Sequence, residues 1–264
     1  MTRLINVLLA AALLPGCMGL TLEEAKEALD EVQLVSQSSA LEANSIEITT
    51  NFTIGEALEQ AAGEIRDFVH SQLACAEIVV NGATLTITYG ALPGNCTWRG
   101  QTFSGSHSLT VTSNEPGVVQ VDHAWTGLSN QLMQLDGSAT VTWDANSVSR
   151  RVVHDATWTR LADDRSGQGS GDRLQQPLAD GILVGFQVDG EREWMGQSGQ
   201  WNLDVDNVEM RWIDPVPQAG SYSLDTPFGK DVSVSFLRQS DTKIRVTISG
   251  PRGSFSFVVN RPGE

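Results

Sequence analysis

Three histidines carry the strongest hint of side-chain chemistry in this chain. His107 alternates with Leu109 and Val111, His123 with Val119, Val121 and Trp125, and His154 with Val152 and Trp158. If each stretch is a β-strand, alternation puts every one of these histidines on the apolar face of its strand. Imidazoles brought together there could hold a metal ion or exchange protons. His107, His123, Trp125, His154 and Trp158 therefore form the candidate ligand face. No carboxylate or cysteine at metal-ligand spacing completes the set, so neither a metal site nor a cofactor is expected. Core or rim histidines, each with a hydrogen-bond partner, produce the same pattern. Gly196-Gln-Ser-Gly-Gln200 lacks the last glycine of a nucleophile elbow. A phosphate loop, a dinucleotide fingerprint and a His-Glu-x-x-His segment are all missing from the sequence. No enzymatic activity is expected, and a hydrolase is the least favoured reading, because convergent catalytic groups cannot be assigned.

The seven tryptophans are the second unusual feature. Trp98, Trp125, Trp143, Trp158, Trp194, Trp201 and Trp212 all fall on expected strands. They could line a cavity for an apolar ligand or simply fill a core, since each buries a large area.

Two amphipathic segments come before the strands. Thr21-Leu-Glu-Glu24 is a capping box, and Leu22, Ala25, Leu29 and Val32 follow at helical spacing, which predicts a helix over 22–40. Ser45 to Asn51 should break it, with Ile46 and Ile48 in a short extended piece. Thr53-Ile-Gly-Glu56 is a second capping box opening a helix over 54–73, with Ile54, Leu58, Ala61, Ile65, Phe68 and Leu73 on one face. Eleven acidic residues lie between Met18 and Ala74 against Lys26 and Arg66. Such a run is expected to be a solvated face.

From Glu77 the period changes to two. Asn81-Gly82 should close a hairpin that pairs Val80 with Ala83 and Ile78 with Leu85. Strands are expected at 101–112, 118–126, 132–143 and 148–161, then at 181–188, 192–196, 200–205, 208–213, 220–225, 231–238, 243–249 and 254–260. The Gly/Ser-rich stretch 163–173 is expected to be a flexible loop between a first half of the meander, 75–162, and a second, 174–264. A weak repeat relates Gly105–Val111 to Gly137–Trp143, and Val121–Thr126 to Val153–Thr159. Asp206-Asn207 reads as a two-residue turn that sets Trp201 against Trp212, with Leu203 facing Met210 and Asp204 facing Glu209. Arg211, diagonal to Asp204, or a cation such as Ca²⁺ would offset that pair of like charges, and Arg211 is favoured because two carboxylates fall short of a calcium ligand set. The fold class is mainly β (α+β): an N-terminal helical pair over 21–74, then a long antiparallel meander forming a curled sheet, half-barrel or barrel.

Cys75 and Cys96 are expected to form a disulfide, closing a loop worth roughly 3 kcal/mol in the chain-entropy model. If Cys75 continued the first strand, a whole strand would separate it from Cys96, about 10 Å away and beyond bridging range. The pairing therefore requires Cys75 to sit off the sheet, at the end of the second helix. The net charge of −15 makes nucleic acid a poor partner, since its binding relies on basic surfaces.

The N-terminus gives an address. Arg3 precedes an apolar run, Leu4 to Leu14, that is too short to span a bilayer, and Leu14-Pro15-Gly16-Cys17 follows. This leader resembles the signal peptide and lipobox of bacterial lipoproteins. The resemblance implies removal of 1–16, acylation of Cys17, and 17–20 as anchor and short tether. Met18, standing where an aspartate often marks inner-membrane retention, implies the outer membrane. The expected function is that of a lipid-anchored outer-membrane lipoprotein acting as a non-enzymatic binding or structural module, with the membrane as partner through its lipid. The alternative is a periplasmic carrier or chaperone for lipids or other apolar ligands.

Overall fold

The structure, a computed structural model, describes residues 19–261. Cys17 and the leader lie outside the described residues. Among the described residues, two helices, α1 (Leu22–Ile48) and α2 (Leu58–Gln72), precede fifteen strands. These are β1 (Glu77–Asn81), β2 (Thr84–Tyr89), β3 (Thr97–Trp98), β4 (Gln101–Thr102), β5 (Ser104–Glu115), β6 (Val118–Ser129), β7 (Met133–Asp144), β8 (Ser149–Arg160), β9 (Arg165–Pro177), β10 (Gly185–Gly196), β11 (Gly199–Arg211), β12 (Ala219–Asp225), β13 (Val232–Ser240), β14 (Lys243–Gly250) and β15 (Gly253–Asn260). Thirteen strands form one sheet in chain order, while β3 and β4 pair with each other as a separate ribbon. The chain is thus mainly β and meanders as expected, but the sheet is open, with β1 at one end and β15 at the other.

The chain divides into two compact units: one combines residues up to Ser36 with those from Gly171 onward, and the other is Gln37–Ser170. In the first unit Val232, Val234, Phe236, Ile244, Val246 and Ile248 make a core with Leu20, Ala25 and Val216. In the second, Leu85, Ile87, Leu109, Val121 and Val141 are all at most 1 % exposed. Strict alternation on these strands produces both cores.

The Cys75–Cys96 bridge is formed, with Cα atoms 5.3 Å apart. Cys75 lies between α2 and β1, off the sheet, as the distance argument required.

Several sequence expectations are corrected. The first helix does not stop near residue 40. It continues to Ile48, because Ile46 and Ile48 are 1 % and 0 % exposed and Leu34, Leu41 and Ile48 form a buried row at seven-residue spacing. Burial of that row outweighs the local β preference of the isoleucines. The first capping box forms, with the Glu24 N–H donating to Thr21 Oγ1 at 3.2 Å and the Thr21 N–H donating to Glu24 Oε2 at 2.6 Å. The second does not. Helix α2 starts at Leu58, and the Asn114 amide holds the preceding segment instead, donating to the Thr53 and Glu56 carbonyls and accepting from the Gly55 N–H.

The first hairpin pairs Val80 with Leu85 and Ile78 with Ile87, so Gly82-Ala83 is its loop rather than Asn81-Gly82. The slip moves each partner by two residues, which keeps Leu85, Ile87 and Tyr89 on the buried face. Gly82, with φ +59°, takes the first loop position, where a type II′ turn favours glycine.

The expected flexible loop at 163–173 is instead largely strand β9. Gly167 is explained by close approach: a Cβ on it would fall 2.9 Å from Trp158 Nε1, so only a bare backbone fits beneath the indole. The Asp206-Asn207 hairpin does not form either. Asp189-Gly190 and Asp206-Asn207 lie inside the long strands β10 and β11, opposite each other, where one residue is matched by two in a β-bulge. The Asp189 carboxylate accepts the Asn207 N–H at 2.7 Å. Trp201 consequently pairs with Trp194 and is fully buried, whereas Trp212 lies beyond β11 and is 53 % exposed. Asp204 faces Glu191 and Ser223, not Glu209.

Candidate functional site

The candidate ligand face belongs to the unit Gln37–Ser170. Strand register puts His107 opposite Trp125, and Leu109 opposite His123. His107 and His123 are therefore diagonal neighbours on one face, and their rings meet. One imidazole N–H is shared between His107 Nε2 and His123 Nδ1 at 2.9 Å, and Tyr89 Oη lies 3.4 Å from His107 Nδ1. Trp125 covers the pair, with ring centroids 5.9 Å from His107 and 6.3 Å from His123. Exposure is 0 % for His107, 2 % for His123 and 3 % for Trp125.

His154 is held apart. It is in register with His123 through the intervening Ala139, so two strand spacings, about 10 Å, separate the backbones. Its Nδ1 lies 3.5 Å from Glu42 Oε1 on α1, and both side chains are buried. Trp158 also belongs elsewhere, against Gly167 of β9. The structure thus brings together His107, His123 and Trp125 and separates them from His154 and Trp158.

Burial decides the electrostatics. It pushes the His107 imidazole well below its usual range, with His123 beside it adding to the effect, and it pushes His123 down to about 3. Burial likewise raises the Tyr89 phenol. All three groups are neutral near pH 7, because a charge there would lose its hydration without a counter-ion. Among the described residues, no group of three or more His, Cys, Asp and Glu side chains is placed to hold a metal ion. A neutral pair sealed under an indole can order the core, but it lacks the solvent access that proton exchange with a substrate requires.

Sequence reasoning missed a second set of polar groups, the carboxylates of α1. In the unit that combines residues up to Ser36 with those from Gly171 onward, Glu24 pairs with Lys230 at 2.5 Å and Glu27 accepts from the Ser198 hydroxyl at 2.6 Å. Glu31 accepts from Trp194 Nε1 at 3.0 Å and is 0 % exposed. Gly196 makes room for it, since a Cβ there would come within 2.4 Å of Glu31 Oε1. In the unit that starts at Gln37, Glu42 meets His154 and Glu47 binds Arg150. These acids face the strands, so the expectation of a solvated acidic face does not hold for them. Their signal was present: Glu24, Glu27 and Glu31 recur at helical spacing, and Glu31, Ser38 and Ser45 form a buried row seven residues apart. Acid in a predicted helix is ordinarily read as outward-facing, which hid the row.

The tryptophans are mostly core. Trp194 and Trp201 stack with centroids 6.0 Å apart, and Phe228 meets Trp201 edge-on at 5.7 Å. A further buried carboxylate, Asp214, is gripped by Arg238, with Arg261 at 3.5 Å and Arg211 at 3.9 Å. It fixes the segment Asp214-Pro-Val-Pro217, between β11 and β12, to the end of β11, to β13 and to the residue after β15. Compared with protein-family models, with curated proteins and with solved structures, the chain matches none.

Proposed function

We propose that this protein is an exported lipoprotein, anchored in the outer membrane through Cys17, whose open sheet serves as a non-enzymatic binding or structural module. The observation that carries the reading is the placement of the candidate ligand face. His107, His123, Trp125, His154 and Trp158 are all at most 6 % exposed. Their contacts are spent inside the fold, among neighbouring strands and, for His154, with Glu42 of α1, which leaves the outer face and edges of the sheet for interaction. The stacked Trp194 and Trp201 support a filled interior over the open groove that a lipid carrier would need. The Cys75–Cys96 bridge supports export, because disulfides persist in oxidising compartments. The anchor rests on the leader alone.

The test is membrane fractionation of the wild type and Cys17→Ala, with the mass of the N-terminal peptide measured alongside. The wild type should sediment with outer membrane and carry acyl chains on Cys17, and the variant should be released. A variant that stays bound overturns the anchor. Lipid co-purifying stoichiometrically with Cys17→Ala in native mass spectrometry would overturn the module in favour of the carrier.

A further inference from the structure

We infer that the end of the unit comprising Gly19–Ser36 and Gly171–Arg261 that carries the β14–β15 turn and the start of α1 is its membrane-facing surface, resting on the headgroup layer of the bilayer. The inference rests on acylation of Cys17 and adds an orientation to it. Only Met18 stands between Cys17 and Gly19, so the anchor lies within about 7 Å of chain from Gly19. Gly19 is not on a loose tether. It is buried and takes φ +72°, and the stem of Arg252 lies so close that a Cβ on Gly19 would meet Arg252 Cγ at 3.3 Å. Leu20 is 5 % exposed and belongs to the core cluster with Val232, Val234 and Ile248. Thr21 and Glu24 then close the capping box, and Glu24 binds Lys230. Every residue from Gly19 to Thr21, together with Glu24, is tied to the fold, so an acyl chain on Cys17 must draw this one end of the unit to the bilayer.

The chemistry of the rim is compatible with that neighbour. Pro251, Arg252 and Gly253 are exposed, as is Lys26, and Phe255 and Leu22 are 41 % and 60 % exposed. A guanidinium with exposed apolar side chains near it in sequence suits a headgroup boundary. The acids Glu23 and Asp231 are also exposed there, so the rim has no net basic pull of its own and the lipid supplies the attachment. The opposite end of β14 carries the exposed Asp241. Strand β14 spans Lys243–Gly250, eight residues, which puts the two ends roughly 25 Å apart.

The test uses the full lipidated chain in phosphatidylcholine vesicles that carry a nitroxide on the headgroup. A thiol-reactive fluorophore is placed at Arg252→Cys, at Ser254→Cys as a second near-end site, and at Asp241→Cys. Flotation and the mass of the N-terminal peptide report anchoring separately. Loss of fluorescence at 252 and 254, with fluorescence retained at 241, is the expected result. Equal quenching at all three sites in chains that float and carry the lipid overturns the orientation while leaving the anchor intact. Chains that neither float nor carry a lipid overturn the anchor, and the orientation with it.

Discussion

His107 and His123 share a hydrogen bond at 2.9 Å inside the fold, and burial disfavours a proton on either ring. That fixes the sign of a pH dependence. An unfolded histidine titrates near pH 6.5. In the fold His107 titrates well below that value and His123 near 3. Between the two values the unfolded chain binds protons that the native chain does not, so stability rises with pH there and is lost as pH falls below about 6.5. Each histidine contributes a slope of about 1.4 kcal/mol per pH unit. Urea unfolding at about pH 7 and about pH 5 should show a lower midpoint at the acid end. The double variant His107→Leu, His123→Leu should flatten that difference, and an unchanged slope would mean that other groups set it. Glu31 allows a second test. Its carboxylate is the acceptor for Trp194 Nε1 at 3.0 Å, and both side chains are buried. Glu31→Ala should cost about 1–3 kcal/mol by leaving the indole N–H buried without that acceptor. Glu31→Gln keeps an acceptor oxygen and should lose distinctly less in the same urea measurement.

At the scale of the elements, long strands shift register at glycines packed against a neighbouring backbone rather than breaking into hairpins. Gly105 has φ +89°, and a Cβ on it would lie 2.1 Å from the Gly127 carbonyl oxygen; Gly220 has φ +84° and would meet the Asn207 oxygen at 2.2 Å. Gly105→Ala and Gly220→Ala combine left-handed strain with a backbone clash and should each cost more than about 2 kcal/mol in a thermal or urea melt. Gly82→Ala, at φ +59° with nothing within 4 Å of the added carbon, carries the strain alone and should cost less. Equal losses at the three sites would refute the close approach. Other glycines mark where the sequence ceases to be legible. Alternation located β5 to β8 within a few residues, because their apolar faces are buried and a one-residue slip would invert them. At Asp189-Gly190 and Asp206-Asn207 turn chemistry and bulge chemistry use the same residues, and the bulge prevailed because each pair sits opposite the other. The stretch 163–173 reads as a loop because the ring that excludes a side chain at Gly167 belongs to Trp158, on the neighbouring strand. On α1, the length of the helix and the inward turn of its acids were decided by groups far along the chain, Lys230, Trp194, His154 and Arg150, which no local window contains. Of the candidate site, parity correctly put the three histidines on buried faces. It could not tell that His107 and His123 meet diagonally while Ala139 separates His123 from His154.

An open sheet has two edges, and this molecule treats them differently. Strand β1 is short, five residues with Glu77 and Asn81 at its ends, and the Cys75–Cys96 bridge fastens the chain just before it. Short, charged edges resist pairing with other chains. Strand β15 has eight residues, Gly253-Ser-Phe-Ser-Phe-Val-Val-Asn260, with neither a charge nor a proline. It pairs with β14 on one side, and no described strand pairs with its other side. Phe257 and Val259 pack against the core, while Val258 points the other way and is 45 % exposed. Backbone donors and acceptors along a neutral edge of this length form a template for another strand, so self-association should run through β15. Val258→Glu tests this without disturbing the core. Residue 258 is directly opposite Arg245 on β14, so a glutamate there gains a cross-strand ion pair worth a few tenths of a kcal/mol while charging the edge. Lysine at the same place would instead face a like charge. Light scattering over a concentration series should show the wild type associating and Val258→Glu remaining monomeric, with an unchanged or slightly raised melting temperature. Association that persists undiminished in a folded Val258→Glu variant would show that the contact lies away from this edge.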